Sequence, residues 1–455
     1  MQRNVERQAL ESVIKNFTLL GKSLVTADVT LASSSHFKTP ISYIDILSDS
    51  LSDSGTMDNR SLFGLIPMSL ITGLTWTSPK GRFTNGYVWS DNIGAKISNI
   101  FTITQFKYGD FLEKDKLANA DISDGLIAGD KKVTARYVPK KFKVKPARYT
   151  EKIYHEGTPF FPDILDNAYI SDGIINHDKK ITKYVKNGYA FNNSLAISYR
   201  GHDFLRNYSE GGLTAHNYAW IPSENIKHFF TRLIIANLKD KREKLLAYSR
   251  HNLITDEQKQ QTLIIEWSGA NDLITVNSPP TFQIADKAIA ARRKNILKLA
   301  EHGYRNFILF DMPNLALTPR FQAMKAAEQD NAENCCDYFN RKLRAMVTEL
   351  RQTLALKYPN SRVFVFEVSQ LFNDVCNNPQ KYGFDPSKLK TPFIKSPDFK
   401  INNGISSASG YVFWDDVHPS SDMHQWLMQL FFDQMIKHFL LNMPNREEIE
   451  KSLRR

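Results

Sequence analysis

Four short runs of apolar, strand-prone residues constrain this chain more than any other feature. They are Tyr43-Ile44-Asp45-Ile46-Leu47, Leu263-Ile264-Ile265-Glu266-Trp267, Phe307-Ile308-Leu309-Phe310 and Val363-Phe364-Val365-Phe366. A strand with one wet face alternates apolar and polar residues, whereas a strand buried on both faces reads as a near-continuous apolar run. Stretches with helical spacing lie between the runs. One holds Ile226, Phe229, Phe230, Leu233 and Ile234; another, roughly 320–358, carries Phe339, Leu343, Met346 and Leu350. Buried strands alternating with helices indicate a parallel sheet covered by helices on both faces. The expected fold class is therefore α/β.

The chain has 455 residues, 42% hydrophobic and 12% aromatic, which is enough for a large core without covalent staples. Its three cysteines are Cys335, Cys336 and Cys376. An odd number without a CxxC pair argues against a disulfide framework and against a zinc site, so no metal ligands are assigned. The formal net charge is +11. Such a charge attracts anionic partners. No signature of a nucleic-acid module is present, so an anionic membrane or acidic headgroup is expected rather than nucleic acid. A basic run, Lys131, Lys132, Arg136, Lys140, Lys141, Lys143, Lys145 and Arg148, contains no acid and is interleaved with Tyr137, Phe142 and Tyr149. Near an anionic membrane each such residue contributes about 1 kcal/mol; a solvated loop is the plainer reading. Glu6, Glu11, Lys15, Lys22 and Asp28 interrupt the start of the chain, so no secretory signal peptide is expected. No apolar run is long enough for a membrane span. The expectation is a soluble chain, kept in the cytoplasm or exported by a route that leaves no N-terminal mark.

The polar residues that follow the strands carry the chemistry. Ser48-Asp49-Ser50-Leu51-Ser52-Asp53-Ser54-Gly55 is turn-forming and directly follows the first run, a way to present one side chain, Ser50, at a sheet edge. Ser268-Gly269-Ala270-Asn271-Asp272 follows the second run. Near the far end stands Asp415-Asp416-Val417-His418-Pro419, and Ser420 or Ser421 can cap a helix after it. The first stretch resembles the G-D-S-L-S-D-x-G motif of the SGNH, or GDSL-type, hydrolases, with Ser48 in place of the leading glycine. The others resemble that family's G-x-N-D and D-x-x-H-P motifs, and all three come in family order. Arg82-Phe83-Thr84-Asn85-Gly86-Tyr87-Val88-Trp89, the loop of Pro313 and the segment around Tyr382 resemble further segments of GDSL-type lipases.

The resemblance runs over about 43–435 and is similar in particular to bacterial GDSL lipases, phospholipases A and glycerophospholipid acyltransferases. It implies a three-layer α/β/α sandwich with a parallel sheet of about five strands in flavodoxin-like order. It also implies a serine ester hydrolase acting on lipid acyl esters, with Ser50, Asp415 and His418 as triad and no cofactor. The oxyanion hole would use Asn271 and the Ser50 N–H. The expected second motif, Asn217-Tyr218-Ala219, runs into Ile221-Pro222 where the family has glycine. Proline has no N–H to give, so Ile221 or Ser223 is left as the third donor, or the hole is one donor short. Two other readings stay open: a carbohydrate or short-chain acyl esterase of the same fold, and a lipid-binding module with a decayed oxyanion hole. The expected organisation is an N-terminal helical extension over 1–40, a hydrolase domain over 41–437 with an insertion at about 106–205, and a charged tail over 438–455. Within it Asn445-Arg446-Glu447-Glu448-Ile449-Glu450-Lys451 resembles tails of bacterial effectors injected into host cells; a charged helix end is the plainer reading.

Overall fold

The computed structural model describes residues 38–62, 65–79, 81–94, 96–97, 195–199, 202–401 and 406–442. The basic run at 131–148, most of the N-terminal extension and the end of the tail lie outside these residues.

A six-stranded sheet organises the molecule. In chain order the described strands are β1 (Thr39–Ile41), β2 (Tyr43–Ser48), β3 (Ser61–Leu62), β4 (Ile66–Pro67), β5 (Leu195–Tyr199), β6 (His202–Asn207), β7 (Thr262–Trp267), β8 (Asn306–Phe310), β9 (Arg362–Phe366) and β10 (Phe439–Leu441). The sheet order is β5-β6-β2-β7-β8-β9, with β5 antiparallel to β6 and every other pairing parallel. Numbered by chain order, its five parallel strands run 2-1-3-4-5, the flavodoxin-like order. The antiparallel edge strand β5 was not foreseen. β6 begins inside the span expected as an insertion, yet Phe204 and Leu205 are buried in the core, so the main sheet already takes in this strand before residue 205. β1 and β10 pair in a separate two-stranded ribbon, which ties Phe439–Leu441 to the start of the domain.

The longer helices among the described residues are α1 (Ile226–Ile234), α2 (Leu238–His251), α3 (Phe282–Glu301), α4 (Ala326–Lys357), α5 (Val368–Asn377) and α6 (Ser421–His438). Successive strand residues point to opposite faces, and the chain fills both. Ile265, Ile308, Phe310 and Phe366 pack with Trp89, with α5 through Leu371 and Val375, and with α6 through Leu427, Phe431 and Met435. Leu47, Ile264, Phe307, Leu309 and Val363 pack with α2, α3 and α4 through Leu245, Ile296, Phe339 and Leu343. This is the three-layer sandwich that the uninterrupted apolar runs require. Ser420 caps α6 by accepting the Met423 N–H at 3.4 Å.

α1 forms as its spacing predicts and is capped by the Asn225 side chain. Its apolar side is not fully covered, however: Ile226 is 71% and Phe230 56% exposed. Among the described residues no helix is long and apolar enough to cross a membrane, and no group of three or more His, Cys, Asp or Glu side chains is placed to hold a metal ion. Cys335 and Cys336 are buried thiols and Cys376 is half-buried.

Candidate active site

The site sits where the strand order reverses. Ser48 of β2 is level with Trp267 of β7 in the sheet, so the loops after these strands emerge side by side. This is the crevice at the carboxyl ends of strands where open α/β sheets take ligands.

The loop after β2 is held as a network. The Leu51 N–H donates to Asp49 Oδ1 at 3.0 Å, and Ser52 Oγ donates to Ser48 Oγ at 2.9 Å. Ser48, the departure from the motif's glycine, is thus fully buried and used. Trp89 Nε1 donates to Ser52 Oγ at 2.9 Å, and Asn207 Nδ2 to the Ser52 carbonyl at 2.7 Å. Asp53 gathers the N–H groups of Gly55 at 2.8 Å, Thr56 at 2.5 Å, Met57 at 3.0 Å and Gly211 at 2.8 Å. The turn that aims Ser50 is therefore welded to the loop that follows β6.

Ser50, His418 and Asp415 form one hydrogen-bonded chain. His418 Nε2 lies 2.8 Å from Ser50 Oγ, and His418 Nδ1 lies 2.7 Å from Asp415 Oδ2. The other Asp415 oxygen accepts the backbone N–H groups of Val417 at 2.8 Å and His418 at 2.6 Å. A spacing of three lets one carboxylate grip both the ring and the backbone of the same histidine. Burial would raise the Asp415 carboxyl, but the His418 charge and these bonds hold it below its ordinary value. Burial works against a charged His418, yet Asp415 foremost, with Asp49 and Asp416, lifts the ring above its ordinary 6.5. Asp416 turns away and pairs with Arg320 at 2.9 Å.

The Arg82 segment frames this loop. Phe83 packs 5.0 Å and Trp414 6.2 Å from the His418 ring, centre to centre. Thr84 Oγ1 donates to the Pro419 carbonyl at 3.0 Å, and Asn85 Oδ1 accepts the Ser421 N–H at 2.9 Å.

Asn271 meets the Ser50 loop at Asp49. Thr275 Oγ1 donates to Asn271 Oδ1 at 2.6 Å, which fixes the orientation of the amide. Its Nδ2 donates to the Leu213 carbonyl at 3.1 Å and, more weakly, to Asp49 Oδ2 at 3.4 Å. Next to it, Asp272 accepts the Ala215 and His216 N–H groups at 2.7 and 2.9 Å. Burial pushes that carboxyl to about 7 against the pull of these bonds.

The turn expected as the second motif is engaged away from Ser50. The Ile221 N–H is tied to the Tyr218 carbonyl at 3.0 Å, Arg232 holds the carbonyls of Ile221 and Pro222 at 3.1 and 2.7 Å, and Ile221 is 39% exposed. An Ile221 N–H held in that turn does not point to an oxyanion at Ser50, contrary to expectation. The turn that reaches the site is Asn207-Tyr208-Ser209-Glu210-Gly211-Gly212, directly after β6. Its Glu210 N–H donates to the Ser48 carbonyl at 3.1 Å, Gly211 to Asp53, and the Leu213 carbonyl receives Asn271. Gly212 lies between these anchors in the left-handed region, φ 78°, and its N–H donates to no group among the described residues. A Cβ on Gly211 would sit 2.3 Å from Phe83 Cε2, so only glycine fits there. The signal was present: the sequence holds two Asn-Tyr pairs, and only Asn207-Tyr208 is followed by the glycine pair.

The family model described as GDSL-like Lipase/Acylhydrolase matches residues 177–431, more than half of the chain. That span excludes Ser50, which the fold brings to His418. The secreted effector protein SseJ of Salmonella typhimurium is 24% identical over 265 residues, covering 53% of this chain and 61% of that protein. The thermolabile hemolysin of Vibrio parahaemolyticus is 26% identical over 199 residues, 40% of this chain and 43% of its own. The phosphatidylcholine-sterol acyltransferase of Aeromonas hydrophila is 23% identical over 267 residues, 50% of this chain and 72% of its own. The chain thus spans about three fifths or less of the length of the first two relatives.

Proposed function

The chain belongs to the GDSL-like lipase/acylhydrolase family, and from that premise we propose that it cleaves lipid acyl esters through an acyl-enzyme on Ser50. The observation that carries the reading is the unbroken chain from Ser50 Oγ through His418 to Asp415, at 2.8 and 2.7 Å. His418 Nε2 takes the Ser50 proton as Oγ attacks the acyl carbon. Asp415 keeps the ring in the tautomer with Nε2 free and stabilises the imidazolium. The tetrahedral oxyanion is received by the N–H groups of Ser50 and Gly212 and by Asn271 Nδ2, which gives up its 3.4 Å bond to Asp49. His418 then protonates the leaving alcohol. Water, or an acceptor alcohol in an acyl transfer, attacks the acyl-serine by the same steps in reverse.

A lipid acyl group is supported by the surroundings of the site. The uncharged segment 65–79, whose Thr77 carbonyl accepts Trp414 Nε1, leaves Trp76 70% exposed. The 218–234 segment, which leads into Ile235 against Gly212, leaves Trp220 77%, Ile226 71% and Phe230 56% exposed. Large apolar side chains held in water mark surfaces that meet apolar ligands, and a sugar acetate gives them nothing to cover. With Gly212 as donor, Pro222 no longer argues for a decayed hole. The names of the hemolysin and the acyltransferase are compatible with a membrane lipid as substrate, and that of SseJ with export as an effector; the basic run at 131–148 would add attraction to anionic membranes.

The test is a panel of acyl esters from acetyl to palmitoyl, with a lysophospholipid, against wild type and Ser50→Ala. A rate that holds or rises with chain length, abolished in Ser50→Ala, is expected. A rate that falls steeply beyond acetyl would move the substrate to short acyl esters.

A further inference from the structure

The turn that carries Gly212 is gripped by a buried carboxylate outside the triad. Glu210 is 2% exposed, and its two oxygens take two cations from distant parts of the chain. Oε1 receives Arg60 Nη1, and Oε2 receives Lys241 Nζ at 2.5 Å. Lys241 belongs to α2 and its side chain is 1% exposed. Arg60 follows the short helix Thr56–Asn59 of the Ser50 loop, and its second nitrogen donates to the Ile234 carbonyl at the end of α1, at 2.6 Å. The Glu210 backbone is equally engaged, with its N–H on the Ser48 carbonyl and its carbonyl accepting the Leu213 N–H, both at 3.1 Å. Burial raises the Glu210 carboxyl, but Lys241 and Arg60 outweigh it and keep the group ionised.

One side chain therefore joins the Ser50 loop, the turn around Gly212, and the helices α1 and α2. None of its hydrogen bonds goes to a member of the triad. What it does fix is the path of the backbone on both sides of Gly212. An oxyanion donor works because it is already aimed when charge develops; a donor that must reorient loses most of its effect. A left-handed glycine is the least restrained residue in a chain, so its aim has to come from its neighbours. We infer that Glu210, clamped between Arg60 and Lys241, is a positioning residue that pre-aims the Gly212 N–H at the oxyanion. This rests on reading Ser50 as the nucleophile of an acyl-transfer site.

Glu210→Gln keeps the shape of the side chain and removes its charge. Lys241 then stays buried beside a neutral amide, and the turn loses its grip on one cation or both. The measurement is kcat and KM for a soluble short-chain p-nitrophenyl ester, together with the second-order rate of fluorophosphonate labelling of Ser50. Both are taken well below the unfolding temperature, which is recorded for each protein. In Glu210→Gln, kcat and the labelling rate fall together by 10-fold or more while KM changes by less than about threefold, the split expected when an interaction made only in the transition state is lost. Arg60→Gln, which leaves Lys241 paired with Glu210, falls in the same direction by less, and it carries the test if Glu210→Gln does not fold. A folded Glu210→Gln that keeps wild-type kcat overturns the inference, even if it melts earlier, because the cluster is then only structural. Wild type that neither hydrolyses the ester nor labels contradicts the proposed function instead, so the two failures are separable.

Discussion

Two turns bond to the Ser50 loop, and they are built in different ways. The Asp415–His418 turn is nearly self-sufficient. Its carboxylate binds the ring and backbone of a residue three positions on, at 2.7 and 2.6 Å. The Glu210–Leu213 turn carries little of its own order. It is fixed by Ser48, Asp53, Arg60, Lys241 and Asn271, which come from three separate stretches of chain. The proposed mechanism thus combines a locally specified base with a globally specified oxyanion donor. The two should respond differently to substitution.

The largest contrast lies within the first turn. Asp415→Asn is expected to cut kcat by about 10⁴, as loss of the orienting acid does in serine triads. Asp416→Asn, which loosens the ion pair to Arg320 and removes only a minor influence on the His418 ring, should leave the rate nearly intact. Steady-state kinetics of the two neighbours checks this, and equal effects would mean that the acid has been misassigned. The second turn gives the next effect. A Cβ on Gly212 would lie 3.0 Å from Ile235 Cγ2 on a backbone with φ 78°, so Gly212→Ala displaces the donor. Its kcat should fall by about 10²–10³, the scale of one lost oxyanion donor. Ile221→Ala should change the rate by no more than about twofold, as at an ordinary exposed position. The reverse pattern would restore Ile221 to the site.

The smallest effect is on pH dependence. His418 acts as a base only when neutral, and its raised pKa means that it stays protonated to a higher pH than an ordinary histidine. Activity should therefore be lost as pH falls through a midpoint above 6.5 in the pH profile of kcat/KM. In Asp415→Asn the chief raising influence is gone, and the midpoint of the residual activity should move down. An unmoved midpoint would assign the acid limb to another group.

The same contrast explains what the sequence could reveal. The Asp415 and His418 pairing is legible because it depends on a spacing of three and a proline. The parallel sheet is legible because Leu263–Trp267 and Phe307–Phe310 leave no wet face. The proposed donor turn was less legible because two Asn-Tyr pairs compete, at Asn207 and Asn217; the glycine pair after Asn207 is the sequence signal, and the contacts of Asp53 and Ser48 agree with it. Glu210, Arg60 and Lys241 carried no pattern at all, since they meet only through folding. Exposure of Ile226 and Phe230 was equally hidden: helical spacing shows which side of α1 is apolar but not what covers it. The antiparallel β5 lies at the sheet edge, where an extra strand changes nothing in the order of the other five.

The central claim is that Ser50 is an activated nucleophile facing a working oxyanion hole. A fluorophosphonate probe needs both, so labelling of purified wild type beside Ser50→Ala and His418→Ala tests it most directly. Rapid labelling of wild type, none in Ser50→Ala and little in His418→Ala, with all three folded, is the predicted result. Folded wild-type protein that stays unlabelled, with or without anionic vesicles, or labelling that survives Ser50→Ala, would contradict it.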